Sequence, residues 1–196
     1  ILAAQSTSKA VLAGNLDATR KPVGYDSANK KITDANNDGI PDDGDASNPV
    51  NQDAHFIVPL TVYDALGNQY KLNISFWKAG VEQNSDNKPE TVWYYRISAE
   101  NNSKFGDGGD QSWTSGFIKF NSTGNIITNA GDFPVTQKVR VTPDTSVGAD
   151  FFEFDLNFEK LTMYASDSSV KPTQVDGYPP GTLEYFSIGS DGVITG

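Results

Sequence analysis

Strict alternation of apolar and polar residues along residues 151–161 constrains the fold more than any other feature. In the segment FFEFDLNFEKL, the apolar side chains Phe152, Phe154, Leu156 and Phe158 alternate with acidic or amide side chains. Successive side chains of a β-strand point to opposite faces, so this pattern predicts an antiparallel strand with one buried face. A helix would instead require apolar residues roughly every three or four positions.

Similar patterns recur along the chain and are separated by turn residues. The alternation in 70–77 places Tyr70, Leu72, Ile74 and Phe76 on one face. A Gly-Asn turn joins this segment to the strand before it, in which we expect Ile57, Leu60 and Val62 to be buried and Pro59 to mark an edge. The predicted strands and hairpins cover 56–64, 70–77, 91–98, 116–128, 138–142, 151–161 and 182–196.

The spacing of these strands predicts an all-β fold, an antiparallel barrel or sandwich. We expect loops over 20–53, 79–90 and 100–112, and a polar segment over 164–175. In residues 1–19, a helix over 3–12 and a strand over 9–16 are equally well supported.

Composition excludes several classes of function. The 25 acidic residues against 15 basic ones give a formal net charge of -10, which argues against nucleic-acid binding. The absence of cysteine excludes disulfides, thiolate zinc sites and cysteine nucleophiles. No window approaches the ~20 apolar residues that a membrane-spanning helix needs. The first residue is Ile1 and Met163 is the only methionine, so we expect the sequence to be a fragment or a processed product.

The segment DANNDGIPDDGD at 34–45 predicts a calcium loop. Oxygen-bearing residues recur at alternate positions, a spacing that lets a loop wrap around one hard cation, and Gly39 permits a sharp turn. The segment resembles the aspartate-rich loops of thrombospondin type 3 and dockerin-like repeats, although Asp45 stands where a bidentate Glu is usual. The alternative is a solvated acidic loop. The predicted ligands are Asp34, Asn36, Asp38, the Ile40 carbonyl, Asp42 and Asp45.

Evidence for catalysis is weak, and we expect no enzyme activity. A serine triad would have to use His55, the only histidine, and no nucleophile motif lies near it. The carboxylates of Glu153, Asp155 and Glu159 share one face with neighbours roughly 6–7 Å apart, a spacing that glycosidases also use. The favoured interpretation is the solvated face of an amphipathic strand.

Two further groups of residues have a structural and a functional interpretation. Aromatic residues could line a sugar platform, although core packing is the more common role on alternating strands: Trp77, Trp93, Tyr94, Tyr95 and Trp113. Asn-x-Ser/Thr triplets begin at Asn73, Asn101 and Asn121 and matter only in a glycosylating secretory pathway.

Several segments together, in the same order, resemble the bacterial flagellar hook protein family. They cover most of the chain and are NLDA at 15–18, LTVYDALGNQYKLNISFWK at 60–78, VWYY at 92–95, FIKFNSTGNI at 117–126, DGYPPGTL at 176–183 and IGSDGVITG at 188–196. The last two are similar to a closing signature of flagellar axial proteins.

This resemblance implies an outer β-barrel domain over 20–169, inserted into a smaller, mostly β inner domain to which 1–19 and 170–196 contribute. It implies a structural subunit of the hook, the curved tube that acts as a universal joint between motor and filament. Copies of the full-length protein would form the helical tube, with hook-cap, hook–filament junction and rod proteins as partners. Subunits would leave the cell through the flagellar export apparatus without a cleaved signal peptide. No cofactor would be required, and a fragment without the terminal helices would be monomeric.

In such a tube, neighbouring outer domains slide past one another, and we expect the long loops 20–54, 79–90 and 100–112 to make those contacts. Three alternatives remain. They are another flagellar axial protein such as a distal rod subunit, a calcium-dependent carbohydrate-binding or adhesion module of a surface protein, and, ranked last, a hydrolase with paired carboxylates.

Overall fold

The computed structural model describes residues 1–99, 114–182, 187–188 and 194–195. The predictions for the 100–112 loop, Asn101 and Trp113 lie outside the described residues. The described strands, in chain order, are β1 (Lys9–Asn15), β2 (Tyr25–Asp26), β3 (Lys31–Ile32), β4 (Phe56–Tyr63), β5 (Gln69–Gln83), β6 (Pro89–Ala99), β7 (Ser115–Phe120), β8 (Thr136–Val141), β9 (Phe152–Thr162), β10 (Lys171–Val175), β11 (Ser187–Ile188) and β12 (Ile194–Thr195).

Two four-stranded sheets face each other and confirm the all-β prediction. The front sheet has the order β4-β5-β6-β7 and is antiparallel throughout. The back sheet has the order β10-β1-β9-β8. Small hairpins join β2 to β3 and β11 to β12. Among the described residues the only helical element is a 3-10 turn at Thr145–Val147, and no helix is long and apolar enough to cross a bilayer.

The back sheet contains two features that sequence patterns did not predict. Strand β1 pairs with β10 in antiparallel fashion but with β9 in parallel fashion, Lys9 lying opposite Asp155 and Asn15 opposite Thr162. Residues 164–175 were expected to be only a polar segment, and instead they include β10. That strand lies at a sheet edge and is mostly exposed, so its polar sequence lacks the alternation that marks a half-buried strand.

The main core fills the space between the sheets. The predicted inward faces of 70–77 and 151–161 are confirmed, because Tyr70, Leu72, Ile74 and Phe76 meet Phe152, Phe154, Leu156 and Phe158 there. The prediction for Ile57 is wrong. Its side chain is 51% exposed, and Val58 is buried in its place. Inward positions of β4 alternate as Val58, Leu60 and Val62, which turns Ile57 outward.

Residues 20–54 cover the outer face of the front sheet, and we call them the flap. Val23, Tyr25, Ile32 and Ile40 of the flap pack with Trp77, Ala79, Val92, Tyr94, Phe117 and Phe133 in a second, smaller core. The central strand β6 is therefore buried on both faces, which explains why Val92 and Tyr94 are as inaccessible as Trp93 and Tyr95. The described aromatics of the suggested sugar platform are all core residues.

The predicted loop over 79–90 is wrong. Strand β5 continues to Gln83 and β6 begins at Pro89, so only 84–88 form the turn. The Asn84 side chain accepts hydrogen bonds from the backbone N–H groups of Asp86 and Lys88, and this fixes the turn. A bulge between Lys78 and Gly80 shifts the register of β5, which hides the continuing strand from a simple alternation pattern.

The chain ends leave the sandwich side by side. Leu2 pairs with Gly181 and Gln5 with Tyr178, so residues 1–7 and 176–181 form a two-stranded stalk at the end where β1 and β9 begin. We call this the proximal end. Strands β1 and β10, which the predicted division assigns to the inner domain, are part of the back sheet. The division at residues 19/20 and 169/170 stays a prediction.

Candidate functional site

The predicted calcium loop forms the outer edge of the flap. The carboxylates of Asp34, Asp38 and Asp42 bind backbone N–H groups of the loop itself. Asp34 accepts from Asp38 N at 3.2 Å and from Gly39 N at 2.9 Å, and Asn36 Oδ1 accepts from Asp38 N at 3.3 Å. Left-handed backbone at Asn37 (φ 59°) and Gly39 (φ 82°) gives the sharp turn that the sequence predicted at Gly39.

Asp42 differs from the other predicted ligands because its side chain is fully buried. Its two carboxylate oxygens accept from Ala35 N at 2.6 Å and from Gly44 N at 2.8 Å, so this side chain fixes the fold of the loop. Asp45 faces solvent and accepts from the backbone N–H and the hydroxyl of Ser47. Those bonds lower the pKa of Asp45.

Asp38 has a different environment. Burial alone would raise its pKa, but hydrogen bonds from Ile40 N and the Asn51 amide outweigh burial and lower the pKa of the carboxyl. Nowhere in the described part of the chain do three His, Cys, Asp or Glu side chains converge as a metal site would require. The loop has the predicted turn and the predicted carboxylates without bringing the carboxylates to one point. Calcium binding stays a prediction.

Polar contacts hold the flap on the sheet. The Tyr94 hydroxyl donates to the Gly39 carbonyl at 2.7 Å, and Trp77 Nε1 donates to the Gln52 carbonyl at 2.9 Å. Gly80 makes close packing feasible, because a Cβ there would lie only 2.8 Å from the Cβ of Tyr25. The flap is therefore an ordered cover with an acidic outer surface.

A half-buried cation sits at the distal end of the front sheet, away from the stalk. Lys119 Nζ lies 2.7 Å from Glu82 and 3.3 Å from Glu90, and it lies over the Phe133 ring. Burial alone would lower the pKa of Lys119, but the hydrogen bond and charge of Glu82 raise it. The group ties three neighbouring strands together across the sheet.

Neither enzyme hypothesis finds support in the geometry. His55 packs edge-on against Trp93, and its Nδ1 accepts from Lys78 N at 2.9 Å. Burial, assisted by nearby cationic side chains, lowers the pKa of His55 to about 4. The carboxylates of Glu153, Asp155 and Glu159 all face solvent, with Asp155 3.4 Å from Lys138. This agrees with the solvated-face interpretation.

The junction between stalk and sandwich contains residues that sequence reasoning missed. The Asp176 carboxylate accepts from Ser8 N at 2.7 Å, from Lys9 N at 2.9 Å and from the Ser8 hydroxyl. Thr7, which is 1% exposed, donates from its hydroxyl to the Asp176 carbonyl. Thr7 also accepts from Tyr63 N. The Asp-Gly-Tyr segment at 176–178 is the sequence signal that could have indicated this junction.

The turn between β4 and β5 contains a second such residue. Asp64 is fully buried and accepts from Leu66 N, Asn68 N and the Asn68 amide at 2.9–3.0 Å. It also accepts from the Tyr70 hydroxyl at 2.7 Å. A Cβ at Gly67 would lie 2.2 Å from Pro180 of the stalk, so this turn and the stalk are in close contact.

Comparison with protein families gives one match over most of the chain. The family model described as flagellar basal body protein FlaE D2 domain matches residues 15–178. The curated relatives include the flagellar hook protein FlgE of Treponema pallidum, 27% identical over 161 residues that cover 69% of this chain and 34% of that protein. They also include FlgE of Salmonella typhimurium, which is 28% identical over 138 residues. These residues cover 70% of this chain and 30% of that protein.

A solved structure is also similar. It is a 32 kDa fragment of the flagellar hook protein FlgE from Caulobacter crescentus, with a TM-score of 0.46 and 20% sequence identity over 68% of this chain and 48% of that one. The present chain spans about a third of the length of the curated relatives that it matches.

Proposed function

Because the chain belongs to the family of flagellar basal body protein FlaE D2 domains, we propose that it is part of a structural subunit of the flagellar hook. The single observation that supports this proposal most strongly is the family match over residues 15–178. In the proposed role, the full-length protein assembles into a curved tube that bends while it transmits torque from motor to filament.

The layout of the chain supports a role as an inserted outer domain. Both chain segments cross the same proximal end, held together by the Leu2–Gly181 and Gln5–Tyr178 pairs. An inserted domain needs two neighbouring chain connections of this kind, because both of its ends lead into the same inner domain. We place the outer domain on the sandwich and its flap, and the inner domain beyond the stalk.

We further propose that the exposed surface of the flap makes the sliding contacts between neighbouring subunits. Its outer surface is acidic and polar, and its large apolar side chains other than Val50 pack inward onto the sheet. Wet, polar contacts exchange partners more easily than apolar ones. The short 84–88 turn would contribute less than the sequence suggested.

The proposed partners and location follow from the same role. Other copies of the subunit would form the tube, and the hook cap, the hook–filament junction and the rod would contact its ends. The subunit would act outside the cell after unfolded export, and catalysis and cofactors have no part in this role.

Immunogold electron microscopy tests the proposal directly. Antibody raised against the 196-residue chain should label short curved segments at filament bases in cells of the source organism. Label spread over the cell surface, with none at filament bases, would refute it and favour a calcium-dependent adhesion or carbohydrate-binding module.

A deletion separates the role of the acidic loop from that of the domain. Removing residues 34–45 should alter hook curvature or swimming if the flap makes sliding contacts. Hooks of unchanged curvature and normal motility in that strain would argue against a mechanical role for the loop while leaving the hook assignment intact.

A further inference from the structure

A groove of about 450 Å³ opens at the distal end of the sandwich, opposite the stalk. Its lining combines apolar side chains, among them Val81, Pro89 and Tyr164, with the polar side chains of Asn121 and Thr123. Val81 and Tyr164 are about half exposed, so the groove is open to solvent. Met163, the only methionine of the chain, also lines this groove.

Met163 both lines the groove and packs in the main core. Trp93 Nε1 donates a hydrogen bond to the sulfur at 3.1 Å, and Trp93 is completely buried. A thioether sulfur is a weak acceptor with two lone pairs. The indole N–H of Trp93 occupies one of these two lone pairs from the core side. Met163 itself is 9% exposed, and the groove is its route to solvent.

The backbone around Met163 is held by hydrogen bonds and close packing. Met163 N donates to the Gly124 carbonyl at 2.9 Å, and Tyr164 N donates to Asn15 Oδ1 at 2.8 Å. Gly124 has φ 82°, and a Cβ there would lie 2.5 Å from the Tyr164 ring and 2.8 Å from the Met163 carbonyl oxygen. This packing fixes the backbone that carries the Met163 side chain, and the hydrogen bond from Trp93 Nε1 fixes the sulfur.

We propose that Met163 is a modification site at which a two-electron oxidant such as hydrogen peroxide forms one sulfoxide epimer selectively. The free sulfur lone pair attacks one peroxide oxygen. The S–O bond forms as the O–O bond breaks and hydroxide leaves. The hydroxide then removes the proton from the oxygen that is now bonded to sulfur, which gives the sulfoxide and water. Sulfur loses two electrons and the peroxide gains them. In the part of the chain that the structure describes, the oxidant reaches sulfur from the groove, because the other lone pair faces the Trp93 indole.

Stereochemistry provides the test, because each of the two methionine sulfoxide reductases, MsrA and MsrB, reduces one sulfoxide epimer. The folded chain is treated with hydrogen peroxide, freed of peroxide, unfolded and divided between the two reductases. Mass spectrometry of the peptide that contains Met163 then gives the fraction restored. We expect one reductase to restore at least about nine-tenths of the sulfoxide and the other about a tenth or less.

Chain unfolded in urea before oxidation is the internal control, and its sulfoxide should divide about equally between the reductases. Met163→Leu should remove the added oxygen from this peptide, which shows that the oxygen is carried by Met163. Equal restoration of the folded sample by both enzymes would overturn the proposal. Resistance of Met163 to peroxide in the folded chain, with ready oxidation after unfolding, would also overturn it.

A variant tests the part assigned to the indole. Trp93→Phe keeps an aromatic ring but removes the N–H donor, so epimer selectivity should fall toward that of the unfolded chain. Retention of full selectivity in a folded Trp93→Phe chain would contradict the role of the hydrogen bond. The comparison of folded with unfolded wild-type chain decides the main proposal even if this variant does not fold.

Discussion

Asp64 organises the turn between β4 and β5, and its removal should cost more stability than any exposed acidic substitution. Asp64→Ala takes away the acceptor of four hydrogen bonds, among them the one from the buried Tyr70 hydroxyl. Loss of a charged acceptor from a buried donor costs about 1–3 kcal/mol, and the partly solvated turn N–H groups lose less. We expect the free energy of unfolding to fall by about 3 kcal/mol, a large share of the stability typical of a domain.

A double-mutant cycle isolates the contact between the carboxylate and the phenol. Tyr70→Phe alone should cost about 1.5 kcal/mol, because the hydroxyl donates to a charged acceptor. Once Asp64 is Ala, Tyr70→Phe should cost much less. The two changes together should therefore fall short of the sum of the single effects by about 1.5 kcal/mol.

Urea denaturation followed by tryptophan fluorescence measures each free energy by linear extrapolation. Asp86→Ala is the matched control, because Asp86 is an exposed aspartate in the next hairpin turn. Its effect should stay within about 0.5 kcal/mol. If Asp64→Ala were no more destabilising than Asp86→Ala, or if the cycle were additive, the account of this turn would be wrong.

Three further predictions concern the flap and its surroundings. His55 has a folded pKa of about 4 against about 6.5 when unfolded, so the unfolded state binds more protons between these values. Stability should therefore fall by about 1–2 kcal/mol, after allowance for solvent screening, as the pH drops through this window, and His55→Asn should flatten that part of the pH profile. Gly80→Ala should loosen the flap against Tyr25 and speed proteolytic cleavage within 26–53, whereas Gly181→Ala, which meets nothing closer than 3.8 Å, should not. Unchanged cleavage in Gly80→Ala would show that the flap does not depend on this contact. Calcium at millimolar concentration should raise the melting temperature if 34–45 binds it, and no shift relative to chelator would end that prediction.

Sequence patterns predicted the strands that bury one face. The alternation in 70–77 and 151–161 gives the correct inward residues because, except at Trp77, those segments lie between solvent and the main core. Strand β6 is buried on both faces, with Trp93, Tyr95 and Ile97 in the main core and Val92 and Tyr94 in the second core. In that strand the alternation separates two apolar environments.

Features that depend on distant residues could not be predicted. Ile57 is as apolar as Val58, and only the register against β5 decides which of them is buried. The polar strand β10 forms because the edge of β1 is available to it, and its own sequence has no strand signal. The aspartate positions in 34–45 predicted a turn at Gly39. They could not reveal that the Asp42 carboxylate points inward and accepts hydrogen bonds from backbone N–H groups.

The placement of β1 has a consequence for how the chain acquires its structure. Both neighbours of this strand come from the other end of the sequence, since Lys9 lies opposite Asp155 and Ala10 opposite Val175. Contacts of such long sequence separation slow folding, because a large loop must close before they form. The back sheet cannot be completed until about nine-tenths of these 196 residues are available together. A chain that leaves a narrow channel with its amino end first would therefore lack a complete back sheet for most of its passage. The sheet would form late, around the first strand of the chain.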